Sequence, residues 1–188
     1  MTDALPFPLA GPTLIVGPSN VGKTRLTARA LTAWLDREGT DGVVVFEFAP
    51  EVERDGRVLG GRLDRFVTPP ADVWQGVLDA HAPRATADSD AAAADLAADN
   101  ARRAERLFEA APDEPRAVFV NDATIPFQTP DADPTRLLGY CAGAEVAVLN
   151  ALEADALVGT DPVSRAERDA LAAFRDRVAR VVRLDGET

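Results

Sequence analysis

Lysine is nearly absent from this chain of 188 residues, which holds only Lys23 beside 19 arginines. Cysteine and histidine also occur once each, as Cys141 and His81. A single cysteine excludes a disulfide within the chain, and this pair is too small for a zinc site. Long apolar runs are missing as well, because segments such as 43–46 are far shorter than the roughly 20 residues that span a bilayer. We therefore expect no membrane partner.

Basic charge is also scarce, because 20 Lys and Arg stand against 31 Asp and Glu, which gives a net charge of -11. Phosphate backbones bind to basic surfaces, so this balance disfavours nucleic acid as a partner. Aspartates (20) outnumber glutamates (11), as in halophilic proteins, whose surface repulsion is screened by molar salt. A GC-rich genome is the alternative explanation. The halophilic interpretation predicts that stability rises with KCl concentration beyond the range of simple screening.

The rest of the composition is that of a globular domain, with 46% hydrophobic and 27% charged residues. A chain of this length fits one domain, covering residues 1–188. The first residues lack a basic segment followed by a long apolar one, so we expect a cytoplasmic protein without a secretory signal. The oligomeric state is left open by the sequence.

Short apolar segments alternate with helical patterns along the chain, which is typical of parallel βαβ units. The predicted strands are 13–16, 43–48, 117–120, 145–149 and 181–184. The predicted helices are 22–36, 72–81, 90–111, 134–142 and one that begins at 164. These elements predict an α/β fold, a three-layer αβα sandwich around a mainly parallel sheet of about five strands.

Two of these helices depend on local signals. Asp72 is a candidate N-cap before a helical face that ends at His81. Ser164 and Glu167 form a capping-box pattern at the start of the last helix. We also expect residues 50–116 to form a long helical excursion that holds a substrate or acts as a lid.

An eight-residue motif follows the first predicted strand and matches G-x-x-x-x-G-K-[ST] without exception. Its residues are Gly17, Pro18, Ser19, Asn20, Val21, Gly22, Lys23 and Thr24. Glycines let the backbone fold around a phosphate, and the following helix presents its positive end. The motif resembles Walker A of the P-loop NTPase superfamily, strongly over 14–24, and predicts the fold of that superfamily.

The resemblance implies a nucleotide and Mg²⁺ as ligands. Lys23 would contact the β- and γ-phosphates, and the Thr24 hydroxyl would bind Mg²⁺. ATP is the expected nucleotide. GTP is not excluded, but residues 150–153 lack the lysine and aspartate of the guanine-binding N-K-x-D motif.

The resemblance also implies a second acid, which Walker B supplies at the end of another strand. After the strand at 117–120 the chain continues with Asn121 where that pattern has aspartate, and then with Asp122. Either Asp122 is the acid on the metal, displaced by one residue, or Asn121 takes that place and Asp122 acts as a base. Glu47 is a further candidate, because a strand buried on both faces does not carry an unpartnered glutamate.

Two groups of arginines are candidates for contacts with an acceptor or nucleotide. The first group lies within twelve residues and consists of Arg54, Arg57, Arg62 and Arg65. Arginine binds phosphate and carboxylate with two parallel hydrogen bonds, although acidic neighbours allow simple surface pairing. The second group, Arg165 and Arg168, opens the last helix and supplies candidate lid residues.

Three functional hypotheses follow. The first is a soluble P-loop NTPase that binds and hydrolyses Mg·ATP with Lys23 and Asp122 as catalytic residues. The second is a small-molecule kinase that transfers the γ-phosphate to an unknown acceptor on the arginines of 54–65. The third is a non-catalytic switch or binding module in which the nucleotide controls contact with a protein partner.

Overall fold

A computed structural model describes residues 4–54, 57–59, 61–153 and 159–185, and only the backbone at 52–54 and 57–59. The strands are β1 (Gly11–Gly17), β2 (Val43–Glu47), β3 (Val52–Arg54), β4 (Arg57–Leu59), β5 (Trp74–Val77), β6 (Ala117–Asn121), β7 (Val146–Leu152) and β8 (Arg180–Arg183). The helices are α1 (Lys23–Glu38), α2 (Pro83–Thr86), α3 (Asp90–Ala110), α4 (Thr135–Ala142) and α5 (Pro162–Arg177), with 3-10 turns at Leu63–Arg65 and Ile125–Phe127. No helix among these residues has the length and apolar character needed to cross a membrane.

Six of the strands form one parallel sheet in the order β5-β2-β6-β7-β1-β8, and β3 and β4 form a separate antiparallel pair. The predicted α/β class with a parallel sheet is confirmed, with six strands rather than about five. Strand β7 lies between β1 and β6. Because all six strands run the same way, the residues that follow β1, β7, β6 and β2 meet at the carboxyl end of the sheet.

Apolar side chains cover both faces of the sheet. Alternate residues of a strand point to opposite faces, so Leu14 and Val16 of β1 belong to one core and Ile15 to the other. The first core includes Phe174 of α5 and residues of α4, whereas the second includes Trp34 of α1. Helices therefore pack on both sides of the sheet and hold the carboxyl end of β1, from which the glycine-rich motif continues.

The helix predicted at 72–81 is wrong, because residues 74–77 form β5 beside β2 at the edge of the sheet. The apolar spacing fitted a helix with one buried face, but Val73 and Leu78 flank β5 and are buried in the two different cores. The indole of Trp74 packs edge-on to Phe46, with 5.3 Å between ring centroids. Among the described residues of 50–116, helices are therefore confined to 83–86 and 90–110, and a 3-10 turn lies at 63–65.

Gly76 leaves room for that indole. A Cβ at residue 76 would lie 2.5 Å from the ring of Trp74. Gly76→Ala should therefore lower the free energy of unfolding by about 1–3 kcal/mol, since the ring must move within a packed edge. Urea unfolding at fixed KCl concentration measures the change. Gly139→Ala is the control, because its Cβ would meet no atom within 4 Å, and equal losses in the two variants would contradict the steric explanation.

The predicted capping box at 164–167 is also wrong, since α5 begins two residues earlier at Pro162. Asp161 is the N-cap, and its carboxylate accepts a hydrogen bond from the Ser164 backbone N–H at 2.9 Å. Glu167, the acidic partner of the predicted box, is instead buried. The remaining predicted strands and helices are confirmed to within a few residues at their ends.

Candidate nucleotide site

The glycine loop, Gly17–Thr24, connects the end of β1 to the first turn of α1. Three of its residues have positive φ angles, namely Gly17 (156°), Asn20 (64°) and Gly22 (95°). A Cβ at residue 17 would lie 2.2 Å from the carbonyl oxygen of Leu184. Glycine is therefore required where β1 passes the end of β8, and the left-handed residues curl the chain around the start of α1.

The first turn of α1 contains no acidic residue. Gly22 is the N-cap, and no side chain of the described residues caps the helix. The N-terminus of a helix carries partial positive charge and N–H groups without helical partners. These features make the start of α1 suitable for an anion such as phosphate.

Lys23 is nearly buried in this loop, with 7% of its surface exposed. Its Nζ donates a hydrogen bond to the carbonyl oxygen of Pro18 at 2.5 Å. Burial lowers the pKa of Lys23, and the nearby charge of Asp122 opposes that effect. An ammonium group that retains two further N–H donors beside a fixed loop is well placed to contact phosphate oxygens.

A cavity of about 510 Å³ opens at the glycine loop. Its wall includes the loop residues Ser19, Asn20, Gly22, Lys23 and Thr24 and, from other elements, Gly61, Asp122, Thr124, Gln128 and Glu167. Ligand pockets typically measure about 300–1,000 Å³. The predicted loop and Asp122 thus face one cavity of a size suited to a small ligand.

Asp122 follows β6 and has a positive φ of 52°. Its backbone N–H donates to Oδ1 of Asn150 at 3.0 Å, which holds this uncommon conformation. Burial raises the pKa of Asp122 to about 6, with Lys23 lowering it and the charge of Glu167 raising it further. The carboxyl group of Asp122 is therefore influenced by one cation, Lys23, and by one anion, Glu167.

Asn121 and Asn150 form an amide network beneath Asp122. Asn150 Nδ2 donates to Oδ1 of Asn121 and to Oγ1 of Thr27, both at 2.8 Å. Asn121 Nδ2 in turn donates to Oε1 of Glu47 and to the carbonyl oxygen of Gly61, both at 2.7 Å. Both donors of the Asn121 amide are thus used, and its oxygen accepts from Asn150. These contacts favour Asp122 over Asn121 as the group that faces a metal.

Glu47 ends β2 and is also buried, with 5% of its surface exposed. Besides Asn121, it accepts hydrogen bonds from the backbone N–H groups of Ala49 at 3.0 Å and Leu63 at 2.7 Å. Burial raises the pKa of Glu47 to about 7, although these three donors lower it. The donors to this buried acid are therefore an amide and two backbone groups, and Glu47 secures the 61–63 segment beside Thr24.

Sequence reasoning missed a polar cluster around Glu167, which is 1% exposed. Its Oε1 accepts from Thr124 Oγ1 at 2.8 Å, and its Oε2 accepts from Gln128 Nε2 at 2.8 Å and from Arg84 Nη1. These four side chains all line the cavity. The sequence hint was a glutamate on the apolar face of the last helix, which the capping-box interpretation concealed.

The candidate arginines lie elsewhere. Arg62 pairs with Asp64 at 3.3 Å and Arg65 pairs with Glu51 at 3.1 Å, and neither is part of the cavity wall. The side chains of residues 54 and 57 lie outside the described residues. Arg165 is exposed on α5 and is not part of the wall either. Arg62 and Arg65 thus each pair with an acidic neighbour, which is the simple surface pairing that the sequence also allowed.

A divalent cation would fit only together with a ligand that supplies further oxygens. No cluster of three or more His, Cys, Asp or Glu side chains suited to a metal occurs in the part of the chain described. Mg²⁺ commonly takes one or two protein oxygens together with phosphates and water. Thr24 and Asp122 line the same cavity and provide a hydroxyl and a carboxylate for such a site.

The raised pKa of Asp122 has a measurable consequence for stability. Because its pKa rises from 3.8 to about 6, the folded chain holds this proton more tightly than the unfolded chain. The resulting stabilisation is present at low pH and is lost as the pH rises through about 6. Asp122→Asn should therefore stabilise the protein at pH 8 by on the order of 2 kcal/mol, and by little at pH 4.

Urea unfolding at several pH values, without nucleotide and with a chelator, measures this difference. Asp131→Asn is the matched control because residue 131 is exposed. A stabilisation by Asp122→Asn that is the same at pH 4 and pH 8 would show that titration of Asp122 is not its cause.

No protein-family model matches the chain, and a search of the curated proteins finds no match either.

Proposed function

We propose that this chain binds Mg·ATP through the glycine loop and hydrolyses the bond between its β- and γ-phosphates. The observation that carries the proposal is the combination of the curled loop, the uncapped start of α1 and Lys23 on one cavity wall, with Asp122 on the same wall. Phosphoryl transfer needs chiefly positioning and electrostatic stabilisation, which these groups provide.

Each residue has a defined task in this proposal. The backbone N–H groups of 20–24 and the Lys23 ammonium bind the phosphates, and Lys23 exchanges its contact with Pro18 for phosphate oxygen. Thr24 and Asp122 would hold Mg²⁺, which would supply positive charge against the phosphates. Asn150 and Asn121 fix the backbone of Asp122 and thereby its carboxylate, without contacting the nucleotide.

Adenine is the proposed base. Asn150 opens the 150–153 segment that distantly resembles a guanine motif, but its side chain is fully engaged with Thr27, Asn121 and Asp122. It has no donor left for a guanine carbonyl. GTP binding would therefore have to rely on other residues.

Calorimetry with ATP and GTP, in molar KCl with and without Mg²⁺, tests the proposal on the native chain, and phosphate release tests turnover. We expect Mg²⁺-dependent ATP binding and slow release of phosphate. Absence of binding at millimolar nucleotide would refute the proposal. Binding with almost no hydrolysis would favour the small-molecule kinase or the non-catalytic module, and dependence of turnover on an added acceptor would identify the kinase.

A further inference from the structure

Arg84 is a cation of the cavity wall that comes from outside the glycine loop and α1, whereas Lys23 and Arg25 belong to α1. Arg84 lies on the short helix α2 and is distant in sequence from the glycine loop, Asp122 and Glu167. Its side chain is 28% exposed, so its guanidinium borders both the cavity and solvent. Within the described part of the chain, one of its five N–H donors is engaged, in the hydrogen bond from Nη1 to Glu167.

Lys23, Asp122, Glu167 and Arg84 line the same cavity. The charges of Lys23 and Glu167 both act on Asp122, and Glu167 is paired with Arg84. Arg84 therefore brings positive charge from α2 to the cavity that contains the glycine loop and the proposed metal-binding carboxylate.

Glu167 has hydrogen-bond donors other than Arg84. It also accepts hydrogen bonds from Thr124 and Gln128, one on each carboxylate oxygen. Because these two donors are neutral and fixed on the turn after β6, the buried carboxylate keeps a partner on each oxygen when Arg84 turns away. The guanidinium can then move without leaving Glu167 entirely unpaired, which would be costly in a buried site.

We infer that Arg84 is a catalytic residue that contacts the γ-phosphoryl group in the transition state, an arginine supplied by the chain itself. This inference rests on the proposed function. In the reaction, the bond between the γ-phosphorus and the β–γ bridging oxygen breaks and a bond to a water oxygen forms, giving ADP, phosphate and one proton. The bridging oxygen takes the electron pair of the broken bond, and Arg84 stabilises the negative charge spread over the transferring group.

The inference predicts a selective loss. Arg84→Ala should lower kcat about 100-fold or more, as removal of such arginines does, and should leave the Kd for Mg·ADP within about threefold of native. Binding of fluoroaluminate to the Mg·ADP complex, measured by calorimetry, reports the planar transition-state geometry without turnover. We expect this affinity to fall about 100-fold in Arg84→Ala and to recover only partly in Arg84→Lys, which lacks the planar fork.

Two further variants make the result decisive. Arg102→Ala removes an arginine that is 68% exposed on α3 and paired with Asp99, and should leave both readouts unchanged. If Arg84→Ala folds poorly because Glu167 keeps its charge, Arg84→Ala combined with Glu167→Gln removes that charge and is tested in its place.

The possible results separate this inference from the proposed function. Native nucleotide binding together with unchanged fluoroaluminate affinity in Arg84→Ala would overturn the inference and leave the proposed function standing. If the Mg·ADP complex of the native chain binds no fluoroaluminate, the inference about Arg84 is overturned as well. Failure of the native chain to bind nucleotide at all would remove both.

Discussion

Lys23→Ala should lower the affinity for Mg·ATP by about 100-fold, since it removes a charge-assisted contact to phosphate that no other lysine can replace. The same substitution should not lower the stability of the nucleotide-free protein appreciably. Lys23 is nearly buried and its pKa is lowered by that burial, so its charge is held at an energetic disadvantage in the fold. Loss of ligand affinity without loss of stability distinguishes a binding residue from a structural one.

Calorimetry in molar KCl measures the affinity, and thermal unfolding of the same samples measures the stability. Arg37→Ala is the matched control, because it removes one positive charge from the opposite end of α1, where the side chain is 66% exposed. Equal affinity of Lys23→Ala and the native chain would be incompatible with the proposed role of the glycine loop. A comparable loss in Arg37→Ala would indicate a long-range charge effect instead.

Prediction from the sequence succeeded best where residues adjacent in the sequence determine the conformation. Gly17 and Gly22 occur at the positions where the backbone needs positive φ, and Lys23 starts a helix whose apolar face is visible as a repeat. The strands that flank the site are short apolar runs without charge, except for Glu47. For these segments, local conformation and burial lead to the same assignment, so pattern alone was sufficient.

Prediction failed where distant contacts decide the conformation. Residues 74–77 form a strand because β2 offers an edge and Phe46 a surface for Trp74, and neither is near them in sequence. Glu167 is buried because residues from α2 and the turn after β6 supply its hydrogen-bond donors. The network at Asn121 likewise joins the ends of three strands that the sequence could not place in order.

The position of β7 explains how the glycine loop and Asp122 are connected. The strand order puts β7 between β1, which carries the glycine loop, and β6, which leads to Asp122. Asn150 on β7 therefore bridges the gap by binding Thr27 of α1 on one side and Asn121 on the other. Thr27 in turn donates to the carbonyl oxygen of Lys23 at 3.1 Å.

Asn150→Asp should be the most destabilising substitution at the site, lowering the free energy of unfolding by roughly 3–5 kcal/mol at pH 8. Oδ1 can still accept from the Asp122 N–H, but the atom that replaces Nδ2 becomes an acceptor facing two oxygens. One is Oδ1 of Asn121, and the other is Oγ1 of Thr27, whose proton is committed to Lys23. A buried charge and two lost hydrogen bonds result.

Urea unfolding of Asn150→Asp as a function of pH tests this explanation. The introduced carboxyl has a raised pKa in the folded state, so the destabilisation should be largest at high pH and should shrink as the pH falls and the group becomes protonated. Gln75→Glu makes the same amide-to-carboxylate change at an exposed residue of β5 and should alter stability by less than about 0.5 kcal/mol. A loss below about 1 kcal/mol in Asn150→Asp would mean that the network relaxes around the charge. The coupling between the glycine loop and Asp122 would then have to reside in the backbone of β7 rather than in the side chain of Asn150.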